Sequence, residues 1–388
     1  MRILIIGSDI NAYSLAKKFS EDNSDNLIFV APGNKYISDF ATSIDIAESD
    51  TQELLDFALA NEINLTVCTG NIAVKKSIAD VFKRDGIPIF APTVEAAKYT
   101  LSSSITKKFL YKNKVKTPKF AIFDKENMAV DYVRKSKYPL IIKNDLKNNA
   151  LEEKYCYTFS QAKAAVTELF EIPDAKIVVE NYLPCKKVMQ YFLTDGYTAF
   201  PVGGVEELNV HSQKLNDQGI DKVYFSTSKV SQKMISKLMT TVIYPLLDEM
   251  SAHSGGYAGI IGVELYVAQD SFEVIDFNCG FKKFHMQVIL PIIQGNLYDY
   301  LYASTMGSLA DDYNEIELYS EEVAAVSIKD ANLPEDVIFA KDVENTVFSA
   351  KASSLNTALL EIVDILDEIG IKNSSLIQKT FEEAVFYA

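Results

Sequence analysis

Two carboxylates and an amide stand close together in the second half of the chain. Glu264 lies in Gly262-Val-Glu-Leu-Tyr-Val267, and Asp276 and Asn278 lie in Phe272-Glu-Val-Ile-Asp-Phe-Asn278. Both runs are apolar and β-branched and flank Ala268-Gln-Asp-Ser271, the pattern of a β-hairpin. With the turn centred on Asp270, Glu264 faces Asp276, and Asn278 follows two residues along on the same face. Opposed carboxylates repel, so this pair is stable when one is protonated, when a basic side chain lies between them, or when they share a cation. Glu, Asp and an amide oxygen are hard ligands that suit Mg2+, which keeps waters and takes further ligands from substrate phosphates. A structural reading stands beside the metal reading. Exposed hairpins carry acidic residues, and a register shifted by one puts Glu264 and Asp276 on different faces.

The rest of the chain must position that hairpin, and 388 residues are enough for two or three domains. Residues 1 to about 93 alternate strand and helix, predicting a small doubly wound parallel sheet. Its ligand site belongs at the carboxyl ends of the strands, near Gly7, Gly33 and Thr69-Gly70. The first turn, Gly7-Ser-Asp-Ile-Asn-Ala12, has one glycine where a dinucleotide cradle has three, and Asp9 adds negative charge. It reads as a plain strand-to-helix turn, and a dinucleotide-dependent oxidoreductase does not fit.

From about Thr100 to Gly307 the pattern is α+β. Ser102-Ser-Ser104 can cap a helix, Leu140–Lys143 and Lys176–Glu180 read as strands, and Asp195-Gly196 marks a hairpin. Lys229–Ser251 reads as one long amphipathic helix. The expected division is 1–100, 101–307 with a smaller lobe at about 115–185, and a C-terminal 308–388 with a strand near Val323–Ile328 and a helix Asn356–Ile369.

Composition sets outer limits. A net charge of −15 argues against a nucleic-acid surface, which needs clustered Lys and Arg. No apolar run approaches membrane-spanning length, so no membrane partner is expected. Cys68, Cys156, Cys185 and Cys279 are scattered without metal-ligand spacing, as reduced thiols of a cytoplasmic protein would be. His211, His253 and His285 are far apart and read as surface or packing residues, with His285 the one worth testing because it lies just beyond the metal strand. Oligomeric state is not legible.

Taken in order, Ile5-Ile-Gly7, Phe29-Val-Ala-Pro-Gly-Asn34, Ile89-Phe-Ala-Pro-Thr93, Thr106-Lys-Lys-Phe-Leu110, Pro139-Leu-Ile-Ile-Lys143, Ile177-Val-Val-Glu180, Tyr257-Ala-Gly259 and Val274-Ile-Asp-Phe-Asn-Cys279 resemble the ATP-grasp superfamily. Within it they resemble the phosphoribosylamine–glycine ligases. The resemblance implies an α/β N-terminal doubly wound parallel sheet, then an α+β ATP-grasp domain, then a small C-terminal α+β segment. It implies ATP between two lobes, Mg2+ on its phosphates, and an acyl phosphate formed on a carboxylate and attacked by an amine, with both substrates small molecules. Lys143 takes the place of a phosphate-binding lysine and Glu180 that of a residue beside the adenine amino group. Asp276 and Asn278 match the metal ligands, and Glu264 lies where other ATP-grasp enzymes carry their first metal carboxylate.

Other positions depart from the family. The glycine-rich phosphate flap is replaced by Asn144-Asp-Leu-Lys-Asn-Asn-Ala-Leu-Glu-Glu153, without a glycine. A phosphate lysine falls on Ser103, the ribose-binding glutamate on Lys187, and the charge-stabilising arginine on Gly280. Lys282 or Lys283 are candidate replacements for that arginine, though lysine lacks its bidentate fork. A phosphoryl-transfer site loses ~3 kcal/mol or more per removed charge-stabilising donor. Two readings follow: a carboxylate–amine ligase moved to another substrate, or a non-catalytic pseudoenzyme or interaction protein that keeps the scaffold.

Overall fold

The computed structural model describes residues 1–146, 153–210, 212–254, 257–329, 340–342, 344–372 and 374–386. The N-terminal sheet is parallel, with the order β3 (Thr42–Ser43), β2 (Leu27–Pro32), β1 (Arg2–Gly7), β4 (Leu65–Cys68), β5 (Ile89–Phe90). Alternation along β1 explains its unbroken apolar run. Ile3 and Ile5 pack into a core with the first helix, Ile10–Asp22, while Leu4 and Ile6 pack on the opposite face with Leu54, Leu55 and Phe82. The glycine at the end of β1 has φ +155°, and a Cβ there would sit 2.1 Å from Thr69 Oγ1. Gly7 is therefore required by packing between strand ends rather than by a phosphate.

A smaller antiparallel sheet follows, in the order β6 (Phe120–Phe123), β9 (Ile177–Asn181), β7 (Leu140–Asn144), β8 (Lys154–Cys156). Leu140, Ile142, Ile177 and Val179 face helices Glu126–Lys135 and Phe159–Phe170. The strand period then turns Lys143 and Glu180 to the opposite face together.

The large sheet is antiparallel and holds eight strands. Its order is β14 (Ser271–Cys279), β13 (Gly259–Ala268), β10 (Lys186–Thr194), β11 (Ala199–Asn209), β12 (Lys222–Thr227), β15 (Glu322–Lys329), β17 (Asn345–Ala352), β16 (Ala340–Lys341). The C-terminal segment, read as 308–388, extends this sheet across β12, with helix Leu355–Glu368 covering its core. An open strand edge is covered by adding strands to it.

The long helix expected over Lys229–Ser251 starts later and is interrupted. Ser231 caps Gln232–Leu238, a π turn spans Met239–Ile243, and Tyr244–Ser254 completes it. Pro245 lacks an N–H and its ring crowds the carbonyl four residues back, which the wider π turn relieves. The Asp195-Gly196 hairpin also has a longer turn than expected. Thr194 pairs with Ala199, and Asp195 accepts from the N–H groups of Tyr197 and Thr198.

Candidate nucleotide and acceptor site

The β13–β14 hairpin turns through Gln269-Asp270, with Ala268 paired to Ser271. Carried on without interruption, that register would pair Glu264 with Ile275. A bulge inserts one residue on β14, so Leu265 pairs with Val274 but Glu264 pairs with Asp276, and Gly262 pairs with Asn278. Val274 and Phe277 both reach the core, and Asp276 and Asn278 line the cleft. The juxtaposition read from a turn centred on Asp270 is thus present, but the bulge makes it.

Basic side chains from elsewhere meet these carboxylates. Lys282 Nζ lies 2.8 Å from Glu264 Oε1. Burial raises the Glu264 pKa, but Lys282 and Lys187 outweigh it and hold the carboxyl below its ordinary range. Asp276 Oδ2 accepts from Ser103 Oγ at 3.0 Å and lies 3.6 Å from Lys143 Nζ. Glu180 is pinned between two buried lysines, Lys107 at 2.5 Å and Lys143. Burial pulls Lys143 down, yet Glu180, Asp276 and Glu153 hold it charged and above its ordinary value. Burial dominates at Lys107, which is lowered. Lys187 pairs with Glu153 at 2.8 Å. Four cations, Lys107, Lys143, Lys187 and Lys282, therefore meet four carboxylates, Glu153, Glu180, Glu264 and Asp276.

Lys107 escapes a motif-level reading, although its signal is present. Ser103, Thr106, Lys107 and Leu110 form the buried stripe of helix Ser103–Lys112, at spacing i, i+3, i+4, i+7. A lysine in a core stripe requires a buried acid. Lys283, the other candidate replacement cation, stands apart, 3.9 Å from Glu344. Gly280 has φ +127°, and a Cβ there would meet nothing within 4 Å, so space is available but the backbone disfavours any side chain.

His285 is buried, in line with the packing half of its reading. It closes a relay in which the Lys282 N–H donates to Tyr191 Oη at 3.1 Å, and Tyr191 Oη meets His285 Nδ1 at 2.9 Å. His285 Nε2 meets Glu207 at 2.9 Å. Glu207 is held below its ordinary range: burial opposes ionisation, but the His285 hydrogen bond and Lys282 outweigh it. An ionised carboxylate only accepts, so Nε2 carries the proton and Tyr191 donates to Nδ1. Burial lowers the His285 pKa and keeps the ring neutral. His211 and flap residues 147–152 lie outside the described residues.

Two cavities meet here. One, about 470 Å3, lies between the small and large sheets and is lined by Lys143, Lys187, Glu264, Asp276 and His285 among others. The other, about 450 Å3, opens at the carboxyl ends of β1, β4 and β5 and is lined by Asp9, Thr69 and Pro92 on that side. Asn278 and Lys282 line both. The hard oxygens of Glu264, Asp276 and Asn278 fit a magnesium ion that shares phosphate ligands. Asn278 Nδ2 donates to the Gly280 carbonyl at 2.8 Å, which leaves the amide oxygen as its ligand atom. Among the described residues no group of three or more His, Cys, Asp or Glu is poised to hold a metal, and no helix is long and apolar enough to cross a membrane. All four cysteines are free.

A small antiparallel sheet facing a larger one across a charged cleft, behind a parallel N-terminal sheet, defines an ATP-grasp protein. Residues 1–99 match the phosphoribosylglycinamide synthetase N domain, and residues 101–285 match its ATP-grasp (A) domain. The chain is 28% identical over 300 residues to the phosphoribosylamine–glycine ligase of Lactococcus lactis, covering 76% of this chain and 73% of that one. Its fold is similar to that of the Thermotoga maritima phosphoribosylamine–glycine ligase, with TM-score 0.75, 14% identity and coverage of 95% and 96%. It is also similar to the biotin carboxylase domain of Hydrogenobacter thermophilus 2-oxoglutarate carboxylase in complex with MgADP and bicarbonate, with TM-score 0.65, 13% identity and coverage of 94% and 89%. The chain belongs to the ATP-grasp superfamily, as a relative of the phosphoribosylglycinamide synthetases.

Proposed function

We propose that the chain is an ATP-dependent carboxylate–amine ligase, binding MgATP in the charged cavity and its acceptor in the N-terminal one. The observation that carries this reading is the shared wall: Asn278 and Lys282 border both cavities, so a terminal phosphate in one adjoins a carboxylate in the other. A carboxylate oxygen attacks the terminal phosphorus of ATP, forming an acyl phosphate and releasing ADP. An amine then attacks the acyl carbon, inorganic phosphate leaves, and the amine loses a proton.

Glu264, Asp276 and Asn278 would hold Mg2+, which supplies charge neutralisation to the phosphates. Lys143 would bind phosphate, and Glu180, which lines neither cavity and is held between Lys107 and Lys143, would act by positioning Lys143 rather than by facing the base. Lys282, placed by Tyr191 and the His285–Glu207 pair, would offset charge at the transferring group. The phosphate flap is rebuilt: its stretch has no glycine, and Asp145 already accepts from Ser104 N–H and Oγ at the start of helix Ser103–Lys112. A second reading, a non-catalytic nucleotide-binding relative, is favoured by the prior pairing of Lys282 to Glu264. Free cysteines and the ligase reading fit a cytoplasmic protein with small-molecule substrates.

Titration with MgATP, followed by thermal unfolding, tests the binding; a rise in the midpoint at millimolar nucleotide is expected. ADP release that depends on an acceptor selects the ligase, and binding without any turnover selects the second reading. No midpoint shift in the presence of cooperative unfolding sinks both.

A further inference from the structure

The wall of the N-terminal cavity at Asp9 and Asn11 does not suit a phosphorylated ligand. The chain has three arginines, Arg2, Arg84 and Arg134. Each is paired to a neighbouring acid, Glu62, Asp85 and Asp131, and none lines the cavity. The N-terminus of helix Ile10–Asp22, where an anion would be received, already holds a carboxylate: Asp9 accepts from Ala12 N–H at 3.0 Å and from Thr69 Oγ1 at 3.1 Å. Asn11, 94% buried in the same wall, has a carbonyl oxygen without a hydrogen-bond partner among the described residues. Two acceptors side by side ask for a donor, and a phosphate brings only acceptors.

Much of the remaining lining is apolar, with Asn71, Lys75 and Thr100 among its polar members. Leu193, Val202, Ile260, Met286, Leu290 and Leu301 come from the large-sheet side and belong to one continuous core. At the border with the charged cavity stand Asn278 and Lys282, and Lys283, next in sequence, lines the N-terminal cavity alone. Lys282 is engaged by Glu264, whereas Lys283 is about half exposed and held only loosely, 3.9 Å from Glu344. Lys283 is close enough to Asp9 to act on its charge, so a donor-seeking group and a cation stand near each other beside an apolar body, the pattern of an α-amino acid whose ammonium and carboxylate share one carbon.

Resting on the ligase reading, we infer that the acceptor is an unphosphorylated amino acid with an apolar side chain, its ammonium on Asp9 and Asn11 and its carboxylate toward Lys283. Lys283 directly follows Lys282, so that orientation brings the carboxylate next to the wall shared with the charged cavity.

The test is thermal-shift and calorimetric titration of the whole chain with leucine, methionine and phenylalanine, against glycine, ribose 5-phosphate and inorganic phosphate. At least one apolar amino acid should raise the unfolding midpoint, and the phosphorylated probes should not. Asp9→Asn keeps a helix-capping acceptor, so the chain folds, but removes the charge; amino-acid affinity should fall about tenfold or more. Lys283→Gln should do the same while leaving the MgATP shift intact. Binding of ribose 5-phosphate without binding of any apolar amino acid overturns the inference. Amino-acid binding with no MgATP shift keeps the inference and removes the ligase reading, whereas the MgATP shift without amino-acid binding does the reverse.

Discussion

The cavities on either side of Asn278 and Lys282 are close in volume, about 470 and 450 Å3, and opposite in chemistry. Between the two sheets, buried lysines and carboxylates face one another in matched number. At the end of the parallel sheet, most of the wall is the core itself left unfilled. Charge taken out of water is costly unless paired, so the first cavity keeps its buried cations only by holding acids beside them. The second needs no such balance, because apolar side chains define it by shape, with a few polar groups at its rim. Binding phosphate therefore has to displace or share existing ion pairs, whereas binding an apolar body only fills space.

The largest effect expected from this contrast comes from breaking the charged side. Lys143→Met leaves Glu180 and Asp276 short of a cation in a buried setting, and should cost about 3–5 kcal/mol. A urea midpoint unchanged from the parent chain would mean that the matched charges do not hold the small sheet to the large one. On the apolar side, Leu301→Ala enlarges a space that is already open, so its cost should fall at the low end for such truncations, about 2 kcal/mol. The MgATP shift should survive it, and its loss would show that the two cavities are not separable.

A pH series sharpens the comparison with the smallest change. The folded pKa of His285 lies below its ordinary 6.5, because burial disfavours the charged ring. The unfolded chain then binds more protons, so stability is full above about 6.5 and declines as pH falls from there toward the lowered folded value. His285→Gln should flatten that limb. Glu207, held below its ordinary 4.5, adds a second loss at lower pH, as the solution passes down through that value. Both groups lie on the charged side, and acid should weaken nucleotide binding before it weakens binding in the apolar cavity.

Much of this molecule is legible from pattern. The run Ile3–Ile6 followed by helical spacing announces a covered parallel strand, and Val-Ile-Asp-Phe-Asn marks a strand with oxygen-bearing side chains on one face. The relation of Glu264 to Asp276 was legible only in outcome. A two-residue turn and a bulge combine to give the pairing that a turn centred on Asp270 would have given alone. Of the C-terminal strands only the one near Val323–Ile328 was legible, and not as a continuation of the sheet, because edge pairing depends on which edge is left open. Lys107 could have been suspected from its place in a buried helical stripe, and Lys187 could not, since a lysine on a strand looks the same whether it meets Glu153 or water.

Residue order alone settled the alternation of elements, the apolar faces and the acids of one hairpin, because those depend on near neighbours along the chain. Folding in three dimensions settled which charges meet: Lys107, Lys143, Lys187 and Lys282 come from a helix, two strands of different sheets and a loop. Coulomb attraction acts across space and burial sets its strength, so partners from distant segments become a site only when packing brings them together and removes the water between them.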